Sequence, residues 1–339
     1  MPPPALRLLK SIARRRLATA AAAAATPSSF QVFDRTTKRL QRDRAGLNPA
    51  SKSTDYLKDE IASRLVDRLL DITRPLPLVL DLGAGACHIA RRLAATAPTR
   101  ISHLICTDVS HALLHRDATE PWNTTLNLTR LIVDEESHTP FPVTPASLDA
   151  VLSSMSLHWT NDLPLTLTHI ERALQPDAPF LAAMPGGDTL YELRGALQLA
   201  ESERRGGVSP RVSPLIDVRD VAALLQRAGF VLVTVDVDDV VVDYPDVFAL
   251  VADLGWMGEG NAVRGRVKGP LGRDVLVAAQ AVYSALYGNE DGTLPATFRI
   301  INMIGWKKGE GQPKPLPRGS GQISIKDVLE GGGGKKKQE

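Results

Sequence analysis

The sequence has few cysteines and few aromatic residues, and it lacks an apolar run long enough to cross a membrane. Of its 339 residues only Cys87 and Cys106 are cysteines, and 5% are aromatic. Two cysteines cannot form a disulfide framework, which indicates a reducing compartment rather than secretion. The apolar run from Ala18 to Ala25 is broken by Thr19. It is shorter than the about 20 residues that a membrane helix needs.

Acidic residues are absent from the first 33 positions, where five basic residues lie. Removing these five cations changes the formal net charge from +2 to −3 for the remaining chain. A slightly acidic body has no basic face for phosphate groups, so we expect no nucleic acid as a partner. The acid-free start carries apolar residues at helical spacing, which is typical of a mitochondrial transit peptide over residues 1–29. A disordered alanine-rich tail is the alternative.

The remaining sequence is apolar enough for one large domain, since 43% of the residues are hydrophobic and 23% are charged. From residue 75 onward, short apolar runs alternate with helical patterns. This order predicts a doubly wound α/β fold with a mostly parallel seven-stranded sheet. The predicted strands are 78–82, 103–107, 128–133, 148–154, 180–184, 230–242 and 295–306. The predicted helices are 55–72, 86–97, a short one after 110, 163–174, 188–203, 217–227, 244–254 and 274–287.

A glycine turn follows the first predicted strand, within residues 79–93 (VLDLGAGACHIARRL). Gly83 and Gly85 allow a ligand to approach the backbone closely, because neither has a Cβ. A dinucleotide-binding fingerprint would need a further glycine where the chain has His88, which argues against a nicotinamide oxidoreductase. Asp81, at the end of the strand, can instead accept hydrogen bonds from a ligand amine.

Carboxylates also follow the second and third predicted strands. Asp108, with Val109 after it, lies where a carboxylate can bind both ribose hydroxyls of an adenosine. Asp134 and Glu135 lie where an acid can accept from the exocyclic amine of adenine. Acids at three consecutive strand ends suit a nucleoside with a cationic amino-acid tail, so we predict an S-adenosyl-L-methionine site. The alternatives are an ordinary tight turn and solvated strand ends.

These residues carry a resemblance to a known family. The motif DLGAG resembles the first motif of the class I S-adenosylmethionine-dependent methyltransferases, with Cys87 in place of a frequent last glycine. Stretches such as FDRTTKRLQRDRA, SMSLHWTNDLP and YPDVFALVADLGWMGE resemble the arginine-hydroxylase assembly factors of mitochondrial respiratory complex I. The resemblance implies a matrix protein at the inner membrane. It would act early in assembly, on an arginine of the iron–sulfur subunit beside the quinone site.

The loop after the fourth predicted strand, residues 156–162, lacks the Asn/Asp-Pro-Pro-Tyr sequence of amine methyltransferases. His158 can serve there as a general base, and Trp159 can stack on a guanidinium. A hydrogen-bonded histidine and a packing tryptophan are the alternative. Asp188, Tyr191 and Arg194 begin a predicted helix and can bind a basic peptide, or they form a polar helix start.

No metal site is predicted. Residues 115–117 have the local spacing of iron ligands, but they lie in a helical pattern and not in an all-β cup. Hydroxylation therefore rests on the resemblance alone. An S-adenosylmethionine-dependent protein methyltransferase and a non-catalytic assembly chaperone with a structural cofactor remain alternatives.

The same patterns divide the chain into five segments. After the transit peptide we predict a helical lead-in over 30–74 and an S-adenosylmethionine-binding core over 75–187. A helical cap with sheet-closing strands follows over 188–308. Residues 309–339, rich in glycine, proline and lysine, are predicted to be a disordered tail.

Overall fold

The computed structural model describes residues 31–136, 141–267 and 269–313. The predicted transit peptide and most of the predicted tail lie outside these residues. The chain forms two units, 1–308 and 309–339. In the second unit the described residues form a turn, in which the N–H of Gly309 donates to Oε1 of Gln312 at 3.0 Å. The division into five segments stays a prediction.

Seven strands of the first unit form one sheet. They are β1 (Leu76–Leu82), β2 (Ile101–Asp108), β3 (Leu128–Ile132), β4 (Ala150–Ser154), β5 (Pro179–Pro185), β6 (Phe230–Tyr244) and β7 (Leu294–Lys307). Their order across the sheet is β3-β2-β1-β4-β5-β7-β6. Neighbours among the first five are parallel, whereas β7 is antiparallel to both β5 and β6. The predicted doubly wound, mostly parallel sheet is confirmed.

Helices pack against both faces of this sheet. They are α1 (Arg35–Leu47), α2 (Tyr56–Leu70), α3 (His88–Thr96), α4 (His111–His115), α5 (Leu163–Ala173), α6 (Tyr191–Arg205), α7 (Val218–Arg227), α8 (Val247–Trp256) and α9 (Arg273–Tyr287). One apolar cluster contains Leu181 and Ala183 of β5 with residues of α2, α3, α6, α8 and α9. The other contains Phe180 and Ala182 with residues of α5 and α7. Alternate residues of one strand face opposite sides, so both faces are covered.

None of the helices within the described ranges combines the length and the apolar character that a membrane span requires.

Helix α1 lies in the predicted helical lead-in, but the helix predicted within that segment spans 55–72 and does not include these positions. It begins after Asp34, whose side chain accepts a hydrogen bond from the N–H of Thr37 at 3.0 Å. Its buried residues are Lys38, Arg42 and Ala45. Because only one of the three is apolar, α1 shows no apolar stripe by which a helix is recognised in a sequence.

The turn between β1 and α3 carries the two glycines of the DLGAG motif. Gly83 (φ +72°) and Gly85 (φ +56°) both have left-handed backbone conformations. A Cβ on Gly83 would lie 2.1 Å from Oγ of Ser156, which follows β4. The turn therefore packs directly against the loop after β4, and Gly83 leaves room for that contact.

Candidate functional site

The carboxyl group of Asp81 lies at the end of β1, beside the glycine turn. Its side chain is fully buried, and neither of its oxygens has a hydrogen-bond partner within the described part of the chain. Burial raises the pKa of Asp81 well above its usual value, and the nearby Cys87 and Asp108 raise it further. Buried polar atoms normally have partners, so this carboxyl group fits a ligand that brings a cationic donor.

Asp108 ends the neighbouring strand β2 and is also fully buried. Oδ2 accepts from the N–H of Gly85 at 3.0 Å, and Oδ1 accepts from the N–H of Ser110 at 2.8 Å. Nη1 of Arg42, from α1, lies 3.2 Å from Oδ2. Burial raises the pKa of Asp108, and Arg42 partly offsets this effect. Val109 is half-buried beside it.

The acids after β3 form ion pairs with the same helix. Nη2 of Arg35 lies 2.7 Å from Oδ1 of Asp134 and 3.1 Å from Oε2 of Glu135. Oγ of Ser156 donates to Oε1 of Glu135 at 3.1 Å and accepts from Nη2 of Arg42 at 3.1 Å. Arg35 and Arg42 therefore bind the acids that the sequence analysis assigns to an adenosine.

Little space remains along the glycine turn. The cleft lined by Asp81, Gly83, Gly85 and Arg42 has a volume of about 10 Å³. This is room for about one water molecule. The buried carboxyl groups and the glycine turn suit S-adenosylmethionine, but a cleft of this volume has no room for an adenosine, and Arg42 is one of the residues that line it.

A larger cavity of about 370 Å³ adjoins this cleft, and Met155 lines both. Its walls are mainly apolar side chains of α2, α6, α8 and β7, including Leu57, Leu193, Val251, Leu254 and Phe298. The lining also includes charged residues, Arg211 and Glu259. Arg211 is paired with Glu201, whose Oε1 accepts from its Nε at 2.6 Å. The cavity thus suits apolar groups.

His158 and Trp159 lie in a short 3₁₀ helix after β4, Leu157–Trp159, and both line the cavity. Both meet Glu259, since Nε2 of His158 lies 3.2 Å from its Oε2 and Nε1 of Trp159 donates to the same oxygen at 2.6 Å. Burial lowers the pKa of His158, although Glu259 acts in the opposite direction. A neutral His158 that donates through Nε2 carries its lone pair on Nδ1, which has no partner among the residues described.

Two lysines complete this region, of which Lys38 is buried and Lys58 is half-buried. Nζ of Lys58 lies 3.0 Å from Oε1 of Glu259. Nζ of Lys38 donates to the carbonyls of Gly258 and Gly260 at 3.0 and 2.7 Å, and it lies 3.4 Å from the ring centroid of Trp159. Lys38 thus occupies the position on Trp159 that is predicted for a substrate guanidinium. Burial lowers the pKa of Lys38 well below its usual value.

The structure does not bring the three predicted substrate-binding residues to the cavity. Asp188 forms an ion pair with Arg299, and Tyr191 is half exposed. Leu190 lines the cavity, whereas Asp188, Tyr191 and Arg194 are not among its lining residues. Their role in substrate binding stays a prediction, and it would have to act outside this cavity.

Asp55, Asp59 and His88 form a group of residue types that bind metals. Arg116 pairs with Asp55 at 2.5 Å, and Arg91 pairs with Asp59. Two guanidinium groups thus already neutralise the two carboxylates. The contacts describe a charge network, and a cation would have to displace an arginine to bind here.

Comparison with known proteins agrees with the fold. A methyltransferase-domain family matches residues 80–182. The YcgJ protein of Bacillus subtilis aligns with a TM-score of 0.50 at 15% identity, over 73% of this chain and 98% of that chain. The fold and the acids at the strand ends define a class I methyltransferase-like protein.

Two relatives show which families within this class the chain is similar to. Arginine-hydroxylase NDUFAF5, mitochondrial, of Rattus norvegicus is 46% identical over 304 residues, covering 89% of this chain and 85% of the relative. A malonyl-[acyl-carrier protein] O-methyltransferase of Methylovorus sp. (strain MP688) is 33% identical over 258 residues, covering 74% and 82%. The chain belongs to the family of the mitochondrial arginine-hydroxylase NDUFAF5 within the methyltransferase-like proteins, which confirms the resemblance.

Proposed function

We propose that the protein is an S-adenosyl-L-methionine-binding enzyme of the mitochondrial matrix that hydroxylates an arginine in the iron–sulfur subunit of complex I. It acts early in assembly, on the matrix face of the inner membrane. The relative at 46% identity, a mitochondrial arginine-hydroxylase, supports the reaction and the organelle. The observation that carries the cofactor is the buried, unpartnered carboxyl group of Asp81 beside the glycine turn.

Each strand end has a role in this proposal. Asp81 binds the amine of the cofactor, and Gly83 and Gly85 allow its close approach. Asp108 and Val109 bind the ribose and its surroundings, while Asp134 and Glu135 bind the adenine amine. When bound, S-adenosylmethionine would supply an electrophilic methyl group, which serves the second candidate below. Hydroxylation would need an external oxidant, dioxygen with a two-electron reductant; one oxygen atom of the dioxygen enters the arginine and the other leaves as water.

The cavity limits how the target arginine approaches. Its two charged residues already have partners, so a guanidinium that entered would meet no unpaired carboxylate. We infer that apolar residues next to the target arginine occupy the cavity. His158 lies in the cavity wall, on the loop after β4, where it can accept a proton.

A methyltransferase is the second candidate, and the His158–Glu259 pair favours it. Neutral His158 can take the proton of an acceptor O–H or N–H, while the acceptor atom forms a bond to the methyl carbon and the carbon–sulfur bond breaks. The product would be a methylated acceptor and S-adenosylhomocysteine. The relationship to an O-methyltransferase at 33% identity supports this reaction class.

The test is the mass of the iron–sulfur subunit after incubation with the mature protein and S-adenosylmethionine, with and without ferrous iron and a reductant. A gain of one oxygen on an arginine supports hydroxylation, and a gain of one methylene supports the second candidate. Asp81→Asn, which removes the proposed amine partner, is the control and should leave the mass unchanged.

A chaperone without catalysis is tested separately. If the protein acts as an enzyme, His158→Ala should fail to restore complex I assembly in cells that lack the protein. Full restoration by this variant, together with an unchanged mass of the subunit, would favour the chaperone.

A further inference from the structure

Helix α1 is held in place mainly by polar contacts of its side chains, and its last turn packs closely on α4, where a Cβ on Gly46 would lie 2.5 Å from the backbone N of Leu113. Lys38, Arg42 and Ala45 are its buried residues. Leu40 and Leu47 are 45% and 77% exposed. Burying a lysine ammonium is costly even when two carbonyls accept from it. Opening α1 would break mainly polar contacts, which water can replace, together with the packing of its last turn on α4.

The two arginines of α1 lie on the acids that the proposed function assigns to the cofactor. Arg42 pairs with Asp108, and Arg35 pairs with Asp134 and Glu135. The carboxylates raise the pKa of Arg42 in spite of its burial, so its guanidinium stays charged. Both oxygens of Asp108 already accept from backbone N–H groups and Oδ2 also contacts Arg42, so a ribose hydroxyl would compete with Arg42 for Oδ2.

Arg42 also limits the space at the glycine turn. Arg42 lines the cleft of about 10 Å³ that remains at the glycine turn. It also donates to Oγ of Ser156, the atom closest to where a Cβ on Gly83 would lie. Arg42 thus contacts both the loop after β4 and Oδ2 of Asp108, which the proposed function assigns to the ribose.

We propose that α1 is a gate on the cofactor site, in which Arg42 and Arg35 take the places of the ribose and the adenine. The cofactor binds only when α1 swings out, and α1 closes over the acids when the cofactor leaves. This inference rests on the proposed cofactor. When the cofactor binds, its ribose hydroxyls and adenine amine replace the guanidinium groups as hydrogen-bond donors to the acids, and the two arginines become hydrated.

The first experiment is a titration of the full mature chain with S-adenosylmethionine, with association rates from stopped-flow fluorescence. Arg42→Met removes the competitor, so the dissociation constant should fall and association should become faster, each by about tenfold, because more molecules are open. Arg39→Met changes an exposed arginine on the same helix and should leave both unchanged. Unchanged or weaker binding in a folded Arg42→Met protein would overturn the gate, because Arg42 would then belong to the bound site.

A second experiment uses the unmodified protein and so does not depend on a variant that folds. Hydrogen exchange of α1 is compared with and without saturating S-adenosylmethionine. The gate predicts faster exchange in α1 and slower exchange in β1 and β2 when the cofactor is bound. Slower exchange, or no change, in α1 with measurable binding rejects the gate alone. Absence of binding rejects the proposed cofactor and the gate together.

Discussion

At the scale of single residues, the carboxyl group of Asp81 stands out because it is buried without a hydrogen-bond partner in the described residues. An ionised carboxylate in such a position is costly, so the group holds its proton, and burial raises its pKa. Glu259 is the opposite case, because Lys58 and His158 outweigh the effect of burial and hold its pKa well below the usual value. Asp81 therefore lacks a cationic partner within the described residues, whereas Glu259 already has its partners.

Asp81→Asn should change how stability depends on pH. Because the folded-state pKa of Asp81 is raised, the folded protein keeps a proton that the unfolded chain releases above about pH 4. The contribution of Asp81 to the free energy of unfolding therefore falls as pH rises from about 4 through the folded-state pKa. The variant should gain stability relative to the natural protein over that window. Urea denaturation at several pH values measures this, and a difference that is constant with pH would contradict it.

Glu259→Gln should destabilise the protein by about 3 kcal/mol, because it removes the carboxylate that pairs with the half-buried ammonium of Lys58 and leaves that group with the neutral carbonyl of Met257. Replacing Lys58 by Met in the same chain should recover part of the loss. Urea denaturation of the two single variants and the double variant gives the coupling energy. Strictly additive losses would show that the pair does not interact as its 3.0 Å distance implies.

At the scale of elements, the sheet was predictable and α1 was not. Strand β2 was predicted at 103–107 and runs over Ile101–Asp108, because buried parallel strands are continuous apolar runs that a sequence shows directly. Helix α1 buries two cations, so its pattern resembles a solvated segment. The glycine turn and the strand-end acids lie in local motifs. The contacts of Glu259 with His158 and of Arg42 with Asp108 join distant parts of the chain, which no local pattern reveals.

The turn between β1 and α3 allows a matched comparison of two glycines. Gly85→Ala should cost about 1 kcal/mol, because φ is positive but the nearest atom to a new Cβ is 3.8 Å away. Gly83→Ala should cost about 2 kcal/mol more, because its Cβ would overlap Ser156. Chemical denaturation of both variants measures the difference. Equal losses would mean that the loop after β4 moves aside at no cost.

At the scale of the whole molecule, a closed cleft and an open cavity share one wall at Met155. The cleft meets the glycine turn and its acids, and the cavity lies under α6 and α8. In the proposed function the cofactor occupies the cleft and the substrate the cavity, so the two would meet at Met155.

S-adenosylmethionine should stabilise the whole first unit, because it binds the folded state and not the unfolded chain. At a free concentration of about 100 times the dissociation constant the gain is about 2.7 kcal/mol, which should raise the midpoint of thermal unfolding by several degrees. Calorimetry measures the shift. Asp81→Asn should lose it, and a nicotinamide dinucleotide should not produce it. A larger shift with the nicotinamide compound would contradict the assigned cofactor.

The position of β7 bears on how the chain acquires its structure. The last strand in sequence lies between β5 and β6, so neither of these has its full set of hydrogen bonds until residue 307 is available. The chain therefore cannot fold progressively from its N-terminus. Until β7 is available, β6 remains a long strand, rich in valine, without its partner strand. The valines of β6 favour aggregation and its four aspartates oppose it, so we expect a nascent or translocating chain to bind holding chaperones until its synthesis or passage is complete.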